Sequence, residues 1–422
     1  MKSYKKTLPN GLRIITVPMK DTSTVTAYVL VDAGSKYEAK VENGISHFLE
    51  HVCFKGTKKR PSSKDINIEL DSIGAQSNAF TSQEFTGYYA KAQAKQLPKI
   101  LDVLSDIYLN STFPNEEVEK ERGVIIEEIN MYEDLPQRRV HEYYDELLYG
   151  DQPAGWPIIG TKEVVSSLTS EKIRIYRKKH YVSSATTVVV AGNVTEKDVV
   201  AQVKKLFKDI PTSKKHSKKK VVEKQSKPEL RIVRKDIEQS HVVIGVRTFG
   251  VNDKRGTTLS VLSTVLGEGM SARLFQRLRE DLGMAYYVRS GADEYTDHGS
   301  LKVSAGVDTK RVDVAIEAIL GEFRKLRDTL VSEEELSKAK EFSIGNMYLG
   351  LETSDSLAGY YGIQELLRRK QETPQELEKK IRAVTAKDIQ KLAREIFINK
   401  KLNLAIVGKA PEDKVIAPLL TI

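Results

Sequence analysis

Three short segments of this chain return 216 residues further on, and that repeat restricts the fold more than any other feature. Thr169-Ser170-Glu171-Lys172-Ile173 is echoed by Thr385-Ala386-Lys387-Asp388-Ile389, and Val190-Ala191-Gly192-Asn193 by Ile406-Val407-Gly408-Lys409. Asn130-Met131-Tyr132 recurs as Asn346-Met347-Tyr348, at the same offset each time (385 − 169, 406 − 190, 346 − 130). A chain of 422 residues is long for one core and comfortable for two of about 200. A duplicated domain follows, with the first copy predicted over 1–212, a linker over 213–228 and the second copy over 229–422.

Within the first copy, strand and helix patterns alternate. Residues 12–17, 25–31 and 187–191 read as strands and 77–90 as a strand pair, while helical spacing covers 44–54, 64–73, 97–108, 115–132, 138–149, 169–180 and 195–207. Strands joined partly by hairpins predict a mainly antiparallel sheet packed with helices in each copy, an α/β (α+β) fold. No apolar run approaches the ~18 residues of a membrane span, and 1–6 lead straight into the first strand pattern without the form of a signal peptide. A cytoplasmic location is the expectation.

The net charge of +9 raises the question of nucleic acid or anionic lipid. Much of it is local, since Lys214, Lys215, Lys218, Lys219 and Lys220 fall between Pro211 and Pro228 in a stretch without periodicity, which reads as a solvated linker. No aromatic residues are interleaved there to stack on bases, so neither a nucleic-acid nor a membrane partner is expected. Cys53 is the single cysteine, which rules out a disulfide framework and a thiolate cluster and leaves a small buried hydrophobe.

Chemistry concentrates at His47-Phe48-Leu49-Glu50-His51. On a helix over 44–54 the two imidazoles stand four residues apart, leave one face and can grip one ion. Glu50 lies about 60° around the helix from that face, close enough to act on a water held there. The order His-x-x-Glu-His inverts the commoner His-Glu-x-x-His zinc helix, and such a centre needs a third protein ligand. The helix predicted over 114–135 offers Glu121 and Glu128, two turns apart and on one face. Val124, Ile125, Met131 and Tyr132 surround Glu128, so its carboxylate leaves from the apolar side, where a cation offsets the cost of desolvation. Glu128 is therefore the choice for third ligand, and Glu121 for a carboxylate that orients a histidine. On the helix alone, two ordinary acids of a Lys/Glu-rich surface explain the pattern as well.

The segment from Gly44 to Thr57, Gly44-Ile45-Ser46-His47-Phe48-Leu49-Glu50-His51-Val52-Cys53-Phe54-Lys55-Gly56-Thr57, resembles the zinc motif of the pitrilysin, insulin-degrading enzyme and mitochondrial processing peptidase family. Glu121-Arg122-Gly123-Val124-Ile125-Ile126-Glu127-Glu128-Ile129 resembles that family's third-ligand helix, and the likeness continues at Asn78-Ala79-Phe80-Thr81 and from Leu278-Arg279 to Tyr286. The resemblance implies a Zn²⁺ peptidase of clamshell architecture in which His47, His51 and Glu128 hold the metal and Glu50 is the general base. It also implies that Asn78, Ala79 and Phe80 belong to an edge strand that takes up an extended peptide, although residues alone favour a plain hairpin. Arg279 and Tyr286 are implied to act on the scissile carbonyl from a neighbouring chain, so a homodimer completed in trans is expected. Carried through the repeat, the offset puts Ser263, Leu266, Gly267 and Ile344 where His47, Glu50, His51 and Glu128 stand, so the second copy should bind no metal. A rival expectation is a non-catalytic structural or binding subunit of the same fold.

Overall fold

Each copy of the repeat is organised on one sheet, and the strand order is the same in both. This computed structural model describes residues 2–422. The first copy begins with β1 (Tyr4–Thr7), β2 (Arg13–Pro18), β3 (Thr24–Val31), α1 (Ile45–Val52), α2 (Ser63–Asp71), β4 (Gln76–Thr81) and β5 (Thr86–Gln93). It continues with α3 (Leu97–Asn110), α4 (Asn115–Glu133), α5 (Pro136–Tyr149), α6 (Lys162–Ser167), α7 (Ser170–His180), β6 (Thr186–Gly192) and α8 (Glu196–Leu206). The second copy runs β7 (Glu229–Val233), β8 (Gln239–Arg247), α9 (Gly256–Gly267), a π-helical stretch (Phe275–Asp281), β9 (Ala285–Glu294), β10 (Gly299–Asp308) and α10 (Val312–Asp328). It closes with α11 (Glu333–Leu349), α12 (Ser354–Arg368), α13 (Pro374–Ala383), α14 (Ala386–Ile396), β11 (Leu402–Val407) and α15 (Asp413–Ile416).

The sheets are ordered β1-β2-β6-β3-β5-β4 and β7-β11-β8-β10-β9. Position by position β2 matches β7, β6 matches β11, β3 matches β8, β5 matches β10 and β4 matches β9. The offset read from sequence reappears at the strand starts (229 − 13 and 402 − 186 both give 216). Pairing is antiparallel except between β2 and β6 and between β7 and β11. Thr169 and Thr385 prove to be equivalent N-caps, their hydroxyls accepting from the backbone N–H of Lys172 and Asp388 at the starts of α7 and α14. The extra strand, β1, has four exposed positions and no apolar alternation, so its sequence carries no strand signal; it is held by pairing with β2.

Two compact units emerge, and neither is one continuous stretch of chain. Residues 131–155, with α5, belong to the unit of the second sheet, and 349–373, with α12, to that of the first. α5 buries Val140, Tyr144 and Leu148 against Val243 of β8 and Ala405 and Val407 of β11. α12 lies across β3 and β6 with Leu357, Ala358 and Tyr361 inward. Its approach needs Gly362, since a Cβ there would stand 2.7 Å from Leu30 Cδ1 and 3.1 Å from Val189 Cγ2. The same helix delivers buried Glu365 to Lys5 (2.7 Å) and Arg13 (3.4 Å), and the neighbouring Arg369 pairs with buried Asp32, so the charges enclosed there are neutralised by partners. Helical periodicity tells which face of α5 and α12 is apolar, not which sheet receives it.

The basic stretch is less solvated than its composition suggests. It has no regular secondary structure, yet Lys215 reaches buried Asp32 at 3.3 Å and Lys218, 13% exposed, pairs with Glu84 at 2.7 Å. Two buried carboxylates thus claim cations from what sequence reads as a free run. In the second copy Ser263, Leu266 and Gly267 are buried in α9 and Ile344 in α11, and none offers an imidazole or carboxylate. No helix among the described residues is long and apolar enough to cross a membrane.

Candidate metal centre and active site

α1 is fixed at its N-terminus before it presents any ligand. Gly44 holds φ +95, and a Cβ there would meet the Ile159 carbonyl oxygen at 2.5 Å. Buried Glu38 accepts from the N–H groups of Gly44 and Ser46, both at 2.8 Å, and from Asn43 Nδ2 at 2.9 Å. These bonds satisfy donors that a helix start leaves free. Burial pushes the Glu38 carboxyl up to about 7, against the pull of those bonds. Phe48, Leu49 and Val52 go into the core with Cys53, whose thiol burial raises to about 11. His47 and His51 leave the opposite side with ring centroids 4.6 Å apart.

α4 brings the carboxylates. Glu128 Oε2 lies 3.7 Å from His47 Nε2 and 3.6 Å from His51 Nε2, and the three donor atoms fall within 4.8 Å of one another. These separations are too long for hydrogen bonds. They match the spacing of roughly 3.4 Å that ligands at 2.0–2.1 Å take around one tetrahedral ion. Two neutral imidazoles and one carboxylate are also the donor set zinc accepts, so the residues fit that metal.

Glu121 stands behind His51. Its Oε1 is 2.9 Å from His51 Nδ1 and its Oε2 is 2.5 Å from Lys55 Nζ. Burial works to raise the Glu121 carboxyl, but the bonds to His51 and Lys55 win and hold it below the usual carboxylate range. A charged Glu121 accepts, which places a His51 proton on Nδ1 and would leave the Nε2 lone pair for an ion. Burial works to lower the His51 pKa, and the bond to Glu121 with the charges of Glu50, Glu121 and Glu128 leaves it raised. Replacing Glu121 by Gln is expected to weaken zinc binding about 10- to 100-fold, read by competition with a chromophoric chelator. Unchanged affinity would remove Glu121 from the centre.

The apolar surroundings expected for Glu128 are only partly found. Val124 and Met131, which helical spacing counts among the apolar neighbours of Glu128, are 52% and 50% exposed; the buried face of α4 is Val118, Ile125 and Ile129. Glu128 sits at the margin of that face, half-buried, while Glu127 is exposed. An apolar side chain on a helix is no proof of a core, since much of a folded chain's accessible surface is apolar.

Glu50 is 9% exposed and takes a hydrogen bond from the Thr81 hydroxyl through Oε2; Oε1 has no hydrogen bond among the described residues. Burial raises its pKa, the Thr81 bond and His51 oppose this, and the charge of Glu128 adds to the rise. Thr81 ends β4, the edge strand of its sheet. Of the other strand residues, Asn78 is exposed and its Oδ1 accepts from the Ala79 N–H at 2.8 Å, while Ala79 is half-buried. Phe80 turns its ring toward Gly87, Leu30 and Tyr28, on the face of the sheet that α12 covers and away from α1. Arg279 and Tyr286 belong to the other unit. There Arg279 Nη1 donates to the Tyr286 carbonyl at 3.0 Å and Tyr286 is 72% exposed. Sequence reasoning did not single out Lys55 or assign a task to Thr81. Lys55 lies four residues past His51, a spacing that could have drawn attention to it; Thr81 contacts Glu50 across 31 positions of chain, which no spacing reveals.

Fold and donor set together define a class: a duplicated α/β protein whose first copy brings together a two-histidine, one-carboxylate set that could hold a metal ion. Residues 13–162 match the family profile described as Insulinase (Peptidase family M16), and 167–342 match the Peptidase M16 inactive domain. A Bacillus subtilis protein named as an uncharacterized zinc protease is 36% identical over 93% of this chain and 95% of its own. A solved protease from Helicobacter pylori has the same fold, with TM-score 0.89 over 96% of this chain and 99% of that one at 24% identity. So does a chain of complex III2 from Candida albicans, with TM-score 0.86 over 99% of both at 18% identity. The chain belongs to the insulinase family of peptidases, M16, whose metal is zinc.

Proposed function

We propose that this chain is a zinc-dependent endopeptidase that hydrolyses extended or unfolded peptides in a chamber built by two copies of itself. The observation that carries the reading is the convergence of His47, His51 and Glu128 on one ion-sized space beside the buried carboxylate of Glu50. Zinc held by those three residues supplies Lewis acidity, lowering the pKa of a water and polarising the scissile carbonyl. Glu50 accepts the water's proton during attack and returns it to the leaving amine, a task suited to a carboxyl whose pKa is raised. Glu121 keeps the His51 proton on Nδ1. The free edge of β4 pairs with the peptide backbone, which selects extended shape over sequence. Arg279 and Tyr286 of a second copy donate to the developing oxyanion.

Completion in trans is tested by mixing two inactive variants, Arg279→Ala and Glu50→Gln. Half of randomly exchanged dimers are hybrids with one intact site each, so about a quarter of wild-type activity should return. No recovery despite demonstrated subunit exchange would contradict the shared site. A second reading, a non-catalytic subunit, is favoured by the likeness to the complex III2 chain. It predicts that the purified zinc-loaded protein leaves every unstructured peptide intact.

A further inference from the structure

Thr81 occupies two surfaces at once. It is the last residue of β4, opposite Thr86 of β5. The Ser82 N–H donates to the Phe85 carbonyl across the hairpin at 2.8 Å, which makes 82 and 85 a bonded pair. Because bonded and non-bonded pairs alternate in an antiparallel ladder, Thr81 and Ala79 turn their own N–H and C=O toward the free edge. The Ala79 N–H, bonded to the Asn78 side chain and not to β5, fits that alternation. The Thr81 side chain meanwhile faces α1 and donates to Glu50 Oε2.

The strand end is braced. Ser82 Oγ donates to the Phe85 carbonyl at 3.0 Å, and the Ser35 and Lys36 N–H groups donate to the Ser82 and Gln83 carbonyls at 3.2 and 2.8 Å. A hydroxyl anchored in this way fixes one oxygen of Glu50 and leaves Oε1 as the atom able to exchange a proton. A half-turn of the carboxylate only exchanges two equivalent oxygens, whereas tilting or swinging the group out of this orientation costs the Thr81 bond.

We propose that Thr81 is a positioning residue which orients Glu50 as the base, and that the same residue's backbone registers the peptide, so that substrate pairing and base alignment are set by one rigid element. The inference rests on the peptidase reading and goes beyond it by assigning the device that aligns the base.

The test compares Thr81→Val, which keeps the shape and removes the donor, with Thr81→Ser, which keeps the donor. For Thr81→Val, kcat should fall about 10- to 100-fold, the range for a slightly misplaced catalytic group, with KM and zinc stoichiometry unchanged. Thr81→Ser should restore most of kcat. A readout independent of turnover is the isotope-edited infrared carboxylate band of Glu50 in metal-free protein: asymmetric in wild type and Thr81→Ser, altered in Thr81→Val. Equal kcat in Val and Ser variants, or a loss confined to KM or zinc content, overturns the proposal. If the infrared difference is present but wild type cleaves no peptide, the peptidase reading fails and the positioning role falls with it. If wild type cleaves and the bands do not differ, the inference alone fails.

Discussion

Glu50→Gln should bind one zinc per chain with wild-type affinity and lose peptide turnover by about 10²- to 10⁴-fold, the range ascribed to a general base. The amide keeps the volume of a side chain that is only 9% exposed and can still accept from Thr81, so the fold has no cause to change. It cannot take a proton at the reaction's working pH. Zinc content by elemental analysis, with kcat on an unstructured peptide, checks both halves. Near wild-type turnover would refute the role of Glu50, and loss of zinc would show that the residue serves the metal instead.

The second large effect is expected at Glu128. Glu128→Ala removes the carboxylate that lies 3.7 and 3.6 Å from the two imidazoles and should lower zinc affinity by more than about 100-fold, beyond the range of outer-sphere substitutions. Glu127→Ala, one residue away and exposed, should leave affinity unchanged. Because zinc bound only by the native state adds RT ln(1 + [Zn]/Kd) to stability, the two variants should also part in melting temperature. Wild type and Glu127→Ala should rise when zinc is added, and Glu128→Ala should not. A zinc response in Glu128→Ala equal to wild type would place the third ligand elsewhere.

What could be read from sequence was whatever helix and strand periods dictate. Four-residue spacing puts His47 and His51 on one side of α1, seven-residue spacing puts Glu121 and Glu128 on one side of α4, and the repeat offset reappears in the matching strand orders of the two sheets. Contacts formed between distant segments were not legible. The packing of α5 on the second sheet and of α12 on the first follows from shape at sites such as Gly362, where no hydrophobic pattern distinguishes one sheet from the other. Lys215 and Lys218 look like solvated charge until Asp32 and Glu84 are seen to face them. Val124 and Met131 misled for a related reason, since the exposure of an apolar side chain is invisible to periodicity.

The proposed mechanism requires two imidazole nitrogens and one carboxylate oxygen to share an ion. X-ray absorption at the zinc edge, on protein purified without added metal and then loaded with one equivalent, measures that coordination directly. Two imidazoles, one carboxylate and a light-atom fourth ligand at about 2.0–2.1 Å are expected, with the imidazole signal halved in His51→Ala. A thiolate at about 2.3 Å, or a spectrum that His51→Ala and Glu128→Ala leave unchanged, would contradict it.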